Sequence, residues 1–230
     1  MKLDEAESFF NTEQQDSAII TLELLLEFEN QTDDYGLLGD IADHLAKFYF
    51  LEAMGPISGQ MAVRSWRFYK RAGDWEKVLI SKYNAGVYFA YSGMGKEALT
   101  HWEWLLAHQD KAIELEIYDI VCGAYYEMGY HHHKNRNLHI ADSLFERAAN
   151  CGRIYQTPLH NIYYLLALNA LEKGEFKKAF ATSDSLLIEA QRSGDHQAAM
   201  WAYSLNFMIY DELEDTSSAL ENLKLAYAKQ

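Results

Sequence analysis

An all-α array of paired helices is the fold class this sequence predicts, and three observations predict it. The 230 residues include only two prolines and thirteen glycines, so long helical stretches are rarely interrupted. Hydrophobic residues make up 49% of the chain, enough at this length to bury a sizeable core. A pattern also recurs six times: alanine, a large residue four positions on, and an apolar residue three further. The instances are Ala18-Leu22-Leu25, Ala62-Trp66-Tyr69, Ala98-Trp102-Leu105, Ala141-Phe145-Ala148, Ala179-Ser183-Leu186 and Ala219-Leu223-Ala226, and only Ser183 departs from the large middle member.

Spacings of four and three put the three side chains on one helical stripe, with alanine where a neighbouring helix must come close. Twelve residues before the alanine a second small residue is expected on the partner helix. Ala6, Gly86 and Ala167 supply it, Gly123 supplies it if an insertion is allowed, and Phe50 and Phe207 break the rule. An aromatic often follows three residues later, as at Phe9, Phe89, Tyr126 and Tyr210. Arg71-Ala72-Gly73-Asp74 and Arg192-Ser193-Gly194-Asp195 repeat one boundary device. A cation ends the helix, glycine takes the left-handed position after it, and aspartate caps the next helix. Gly93-Met94-Gly95, Gly129 and Gly174 fall between the two helices of a pair, and Gly55–Gly59 and His131–Asn137 read as loops.

The third instance, Gly86…Phe89…Ala98…Trp102…Leu105, resembles the tetratricopeptide repeat (TPR) almost position for position. The resemblance implies a right-handed α-α superhelix, a TPR-like solenoid of about six helix pairs. It is read as one domain over 1–230, with pairs near 3–28, 36–72, 74–108, 111–151, 158–192 and 195–230. Successive alanine anchors are 44, 36, 43, 38 and 40 residues apart, longer than the roughly 34 of a standard repeat. Periods this irregular also suit HEAT-like arrays.

The resemblance further implies that the first helix of each pair lines a concave, partner-binding face. Offsets from the small residue give Tyr83, Val87 and Tyr91 in the third pair, and Ile117, Ile120, Glu127 and Met128 in the fourth. They give Tyr164 in the fifth, and Trp201, Met208 and Asp211 in the sixth. Such a face is apolar, aromatic and acid-edged. It lacks the lysines and arginines that clamp a chaperone's terminal carboxylate in some TPR domains, so the partner expected is a protein or peptide segment that is apolar or weakly basic.

The formal charge of −14 argues against nucleic acid, which needs a basic surface. Residues 1–40 hold eleven acidic side chains against Lys2 alone, a solvated face or a dock for a basic partner. Cys122 and Cys151 form no C-x-x-C motif and read as free, buried thiols. His131, His133 and His139 are the metal candidates, with the histidine run taken as a loop. No cofactor is expected. Gly93-Met94-Gly95-Lys96 fails as a phosphate loop, because Ala90 stands where glycine is needed and Glu97 where Ser or Thr is needed. Paired carboxylates such as Glu114 and Glu116 lack any nucleophile motif, so no enzyme is expected.

The function these readings support is a protein or peptide interaction module, in the style of the repeat domains of bacterial signalling and regulatory proteins. A structural adaptor or self-associating scaffold is the alternative, since the last helix presents Leu220, Leu223 and Tyr227. A metal-responsive sensor through the histidine run is the second alternative. No 18-residue apolar stretch and no signal peptide is legible, and the compartment stays open between cytoplasm and periplasm.

Overall fold

Gly86 and Trp102 show how this chain builds a helix pair. A computed structural model describes residues 15–27 and 31–228; Ala6, Phe9 and Phe10 lie outside them. The described residues form twelve α-helices: α1 (Gln15–Leu26), α2 (Tyr35–Leu51), α3 (Gly55–Ala72), α4 (Trp75–Tyr91), α5 (Gly95–Ala107) and α6 (Gln109–Glu114), then α7 (Tyr118–Lys134), α8 (Leu138–Tyr155), α9 (His160–Glu172), α10 (Phe176–Ser193), α11 (His196–Glu212) and α12 (Thr216–Tyr227). They fall into two compact units, Met1–Ile120 and Val121–Gln230.

Helix boundaries follow local chemistry. Asp34, Asp74, Asp195 and Asp215 each accept the amide N–H three residues on, at 3.0–3.2 Å. Each cap thereby satisfies one of the orphan donors of a helix start. Gly73 and Gly194 take the left-handed conformation, at φ 78° and 72°, where a Cβ would be strained. These are the two boundary devices read from the sequence.

Within a pair, a large side chain of the second helix fills the space left by a small residue of the first. A Cβ on Gly86 would overlap the Trp102 indole, and one on Gly129 would lie 2.7 Å from the Phe145 ring. Trp102 is fully buried and donates its indole N–H to the Tyr83 carbonyl at 3.3 Å. All six alanine anchors, Ala18, Ala62, Ala98, Ala141, Ala179 and Ala219, are buried.

This geometry corrects three sequence expectations. Gly129 lies inside α7, so it and not Gly123 is the small residue of the fourth pair. In the second pair Ser58, buried on α3, donates to the Ala46 carbonyl of α2 at 2.7 Å. Ala46 and Ser58 are twelve residues apart, as Gly86 and Ala98 are, so taking Ala62 as the counterpart of Ala98 shifts the register by four and makes Phe50 a false exception. The segments read as loops, 55–59 and most of 131–137, are helical. Pro56 is tolerated because it occupies the first turn of α3, where the N–H has no partner to lose.

Unit one has a core around Leu22, Leu38, Leu45, Phe48 and Phe68. Unit two packs Leu186, Leu205 and small alanines beneath Tyr163, Tyr164 and Trp201. In unit two Cys122 of α7 and Cys151 of α8 form a disulfide, with Cα atoms 5.4 Å apart, which corrects the free-thiol reading. In an antiparallel pair the start of the first helix faces the end of the second. The corresponding place in the second pair brings Gly39 against Tyr69.

Two outcomes follow. Gly86→Ala and Gly129→Ala are expected to lower the urea midpoint by the equivalent of about 1–3 kcal/mol, through overpacking, although Gly→Ala at an open helix site stabilises by roughly 0.5–1 kcal/mol. Without reductant both cysteines resist alkylation. Reduction is expected to lower stability by about 3.6 kcal/mol, the chain-entropy value for a loop of 29 residues, measured by chemical denaturation with and without a phosphine.

Candidate functional site

The first helices of the pairs carry the half-exposed aromatic residues of each unit. In unit one the corrected register gives Asp40, Asp43, Lys47, Phe50 and Leu51 of α2 as the face that corresponds to Tyr83, Val87 and Tyr91 of α4, with the exposed Lys47 at the Val87 position. The Phe50 ring packs on Tyr88 at 4.7 Å and edge-on to Tyr91 at 5.5 Å. Leu51 and Tyr91 remain 56% and 71% exposed, an apolar end to this face. At its other end Asp40 accepts from the Tyr69 hydroxyl at 2.8 Å and from the Lys77 ammonium at 2.6 Å. Burial pushes the Asp43 carboxyl up despite the nearby His44 and the Ser81 hydroxyl. Burial near Asp43 likewise pushes the Tyr88 phenol up to about 12. The sequence reading missed Asp40, Asp43 and Phe50, and the twelve-residue step back from Ser58 is the signal that finds them.

In unit two the residues brought together are Tyr126 of α7, Tyr164 and Leu168 of α9, and Trp201 and Met208 of α11. Tyr126, Tyr164 and Leu168 cover the Ala141–Phe145–Leu165–Leu166 cluster. Tyr164, Leu168, Trp201 and Met208 cover the Leu186–Leu205 cluster. Tyr164 and Trp201 meet at 5.5 Å. All five are partly buried, leaving one side in solvent. Glu172, Asp211 and Glu212 edge the row, and Glu172 is engaged by Arg136 at 2.6 Å.

The expected fourth-pair residues divide. Ile120 and Met128 are buried at 5% and 8% exposure, and Ile117 precedes α7. Counting from Gly129 moves the positions of Ile117, Ile120 and Met128 to Gly123, Tyr126 and the exposed Lys134, and those of Ala124 and Glu127 to Tyr130 and His133, whereas counting from Gly123 points into the core. Glu127 is also mostly enclosed, and burial raises its carboxyl to about 7.

The histidine run is helical, which separates consecutive rings by about 100°. His133 hydrogen-bonds Asn169 at 3.1 Å and approaches Glu172 at 3.6 Å. His131 contacts Asn135 at 3.2 Å, and His139 is exposed on α8. Among the described residues no three His, Cys, Asp or Glu side chains converge as a metal set.

Comparison with known families decides the ancestry, because the model of the SusR N-terminal TPR domain matches residues 6–228. The chain belongs to the SusR N-terminal TPR domain family. No curated protein matches the sequence. Among solved structures, a signal-transduction ATPase with numerous domains and a tetratricopeptide repeat sensor, from Pyrococcus horikoshii, aligns over 99% of this chain and 35% of its own, at 16% identity and TM-score 0.84. BtubC from P. vanneervenii aligns over 99% and 89%, at 13% identity and TM-score 0.74. A Rap protein complexed with competence and sporulation factor aligns over 98% and 63%, at 18% identity and TM-score 0.63. At such identities these likenesses show a shared TPR fold, and a TPR domain is an interaction module by family.

Glu127 gives a pH-dependent outcome. Its carboxyl is ionised above 4.5 in the unfolded chain but stays protonated in the folded domain up to about 7. Its cost therefore grows as pH rises between those values. Glu127→Gln is expected to stabilise by on the order of 1–2 kcal/mol at pH 8 and to be neutral near pH 4, read from denaturation midpoints.

Proposed function

We propose that this TPR domain is the docking part of a bacterial signalling or regulatory protein and receives an apolar or weakly basic peptide segment on its first-helix faces. The observation that carries the reading is the row Tyr126, Tyr164, Leu168, Trp201 and Met208 of unit two, half-buried and edged by Glu172, Asp211 and Glu212. Rigid aromatics that already rest on a core lose little entropy when a ligand covers them. Methionine adapts to varied apolar side chains, and the carboxylates at the edge favour lysine or arginine flanks and steer encounter. In unit one Phe50, Leu51, Val87 and Tyr91 offer a second surface of the same chemistry.

Family and fold support the class of activity. Two proteins with this fold have been solved in complexes: a Rap protein with competence and sporulation factor, and the Rap conjugation gene regulator of the plasmid pLS20 with the Phr* peptide. The module reading involves no catalytic step. Among the described residues no helix is long and apolar enough to cross a membrane. The scaffold alternative rests on Leu220 and Tyr227 of α12, exposed at 52% and 64%. The metal-sensor alternative loses its support, since His133 is committed to Asn169.

A displayed library of short peptides rich in Leu, Phe and Lys tests the proposal. Selected peptides are expected to bind with affinity that weakens about tenfold in Trp201→Ala and about threefold in the exposed Asp211→Lys, consistent with aromatic anchors and rim charges. Anisotropy on purified domain reads both. Binders that ignore all first-helix variants would contradict it.

A further inference from the structure

The most unusual charge in the molecule is in unit one, away from the face just described. Lys82 of α4 is buried at 7% exposure, although lysine is rarely buried without a partner. Its ammonium lies 4.0 Å from the Trp66 ring centre and 4.7 Å from that of Trp104, between α3 and α5. The two indoles are stacked 6.5 Å apart around it. Among the described residues no carboxylate pairs with it. The charges that bear on it are cationic, because burial and then the neighbouring Arg67 and Lys70 push the ammonium down to about 8. Arg67 also lies over the Trp66 ring, at 5.8 Å. Two further polar groups here are unsatisfied: Trp66 Nε1 and His101 Nδ1 are buried and have no hydrogen-bond partner.

This concentration runs against the rest of the chain. Several other cations meet carboxylates, as Lys77 does Asp40, Lys173 and Lys178 do Asp142, and Arg192 does Glu189, whereas Lys82 is the cation buried between two indoles. α3 contains Arg64, Arg67, Lys70 and Arg71 and no acidic residue at all. At about 100° per residue, Lys82 points roughly opposite to Tyr83, Val87 and Tyr91 as a group. Two indole faces offset part of the burial cost of an ammonium, but they supply no hydrogen-bond acceptor or counter-charge. A desolvated cation held by aromatic walls, with mobile cations at the rim, is the arrangement that rewards an incoming anion most.

We propose that Lys82, Trp66, Trp104, Arg67 and Lys70 form a second docking site, on the side opposite the first-helix face of unit one, for the side-chain carboxylates of an acidic polypeptide segment. Charge complementarity selects that occupant: in a chain of net charge −14, three cations, Lys82, Arg67 and Lys70, act on one another here, and aromatic walls suit the methylenes of Glu. The site differs from a clamp for a terminal carboxylate in using neither the first-helix face nor a chain terminus.

The test uses capped, fluorescein-labelled hexaglutamate with the whole domain at low ionic strength, read by anisotropy, with unlabelled hexaglutamate and inorganic phosphate as competitors. Saturable binding is expected, displaced by unlabelled peptide and not by equimolar phosphate. It should weaken at least about tenfold in Lys82→Met and several-fold in Arg67→Ala/Lys70→Ala. Lys82→Met keeps the stem that fills the space between the indoles, so its unfolding midpoint should be unchanged or higher. Absence of saturable binding would overturn the proposal, as would Lys82→Met binding within about twofold of the parent. Displacement by phosphate as effective as by peptide would point to a free oxyanion instead. A lower midpoint for Lys82→Met would show the ammonium to be a structural group, which also overturns it.

Discussion

The fit of a second-helix side chain over a small first-helix residue is the constraint on which the rest of this structure depends. Where the small residue is Gly86, an entire indole enters; where it is Gly129, a phenyl ring enters. In these pairs that contact sets the rotation of the first helix about its axis. Rotation in turn decides which residues enter the core and which face water. Close packing leaves little room to renegotiate the choice, since a single added methyl meets a fully buried ring. The aromatic rows are therefore a consequence of the wedge: once Phe145 occupies the space over Gly129, Tyr126 must turn outward.

Much of this was legible in the sequence, and the parts that were not have physical reasons. The boundary devices at Gly73-Asp74 and Gly194-Asp195 are local chemistry, so four residues suffice to recognise them. The third pair is legible because glycine, alanine and tryptophan together leave one register. In the second pair Ser58 takes the place that alanine holds elsewhere, and a hydroxyl bonded to a helix carbonyl does in packing what a methyl does. Ala62 then draws the register four residues forward. In the fourth pair Gly129 lies twelve residues before Ala141 and obeys the spacing, and taking it for an inter-helix turn is what diverts the register to Gly123. Restoring Gly129 moves the candidate face from Ile120 and Met128 to Tyr126 and Lys134.

Two features lay beyond pattern reading for another reason. A disulfide between Cys122 and Cys151 depends on where two helix ends meet, which spacing alone does not give. A lysine on a helical stripe likewise reads as solvated until the indoles from two other helices are seen around it. Charge partition across the described residues follows the same logic. Asp142 holds Lys173 and Lys178 at 3.1 and 2.9 Å, which keeps its carboxyl below the usual range even though burial opposes this. Paired charges of this kind fix helices. Asp211 and Glu212 at the edge of the aromatic row of unit two, and the cations around Lys82, are the charged groups this reading assigns to partners, whereas Glu172 is held by Arg136.

The central claim, that partners are received on the first-helix faces, is tested most directly by hydrogen–deuterium exchange of the domain with and without a selected peptide. Slower exchange is expected in Tyr118–Lys134, His160–Glu172 and His196–Glu212, with Leu138–Tyr155 and Phe176–Ser193 little changed. Protection confined to the second helices of these pairs would contradict the account.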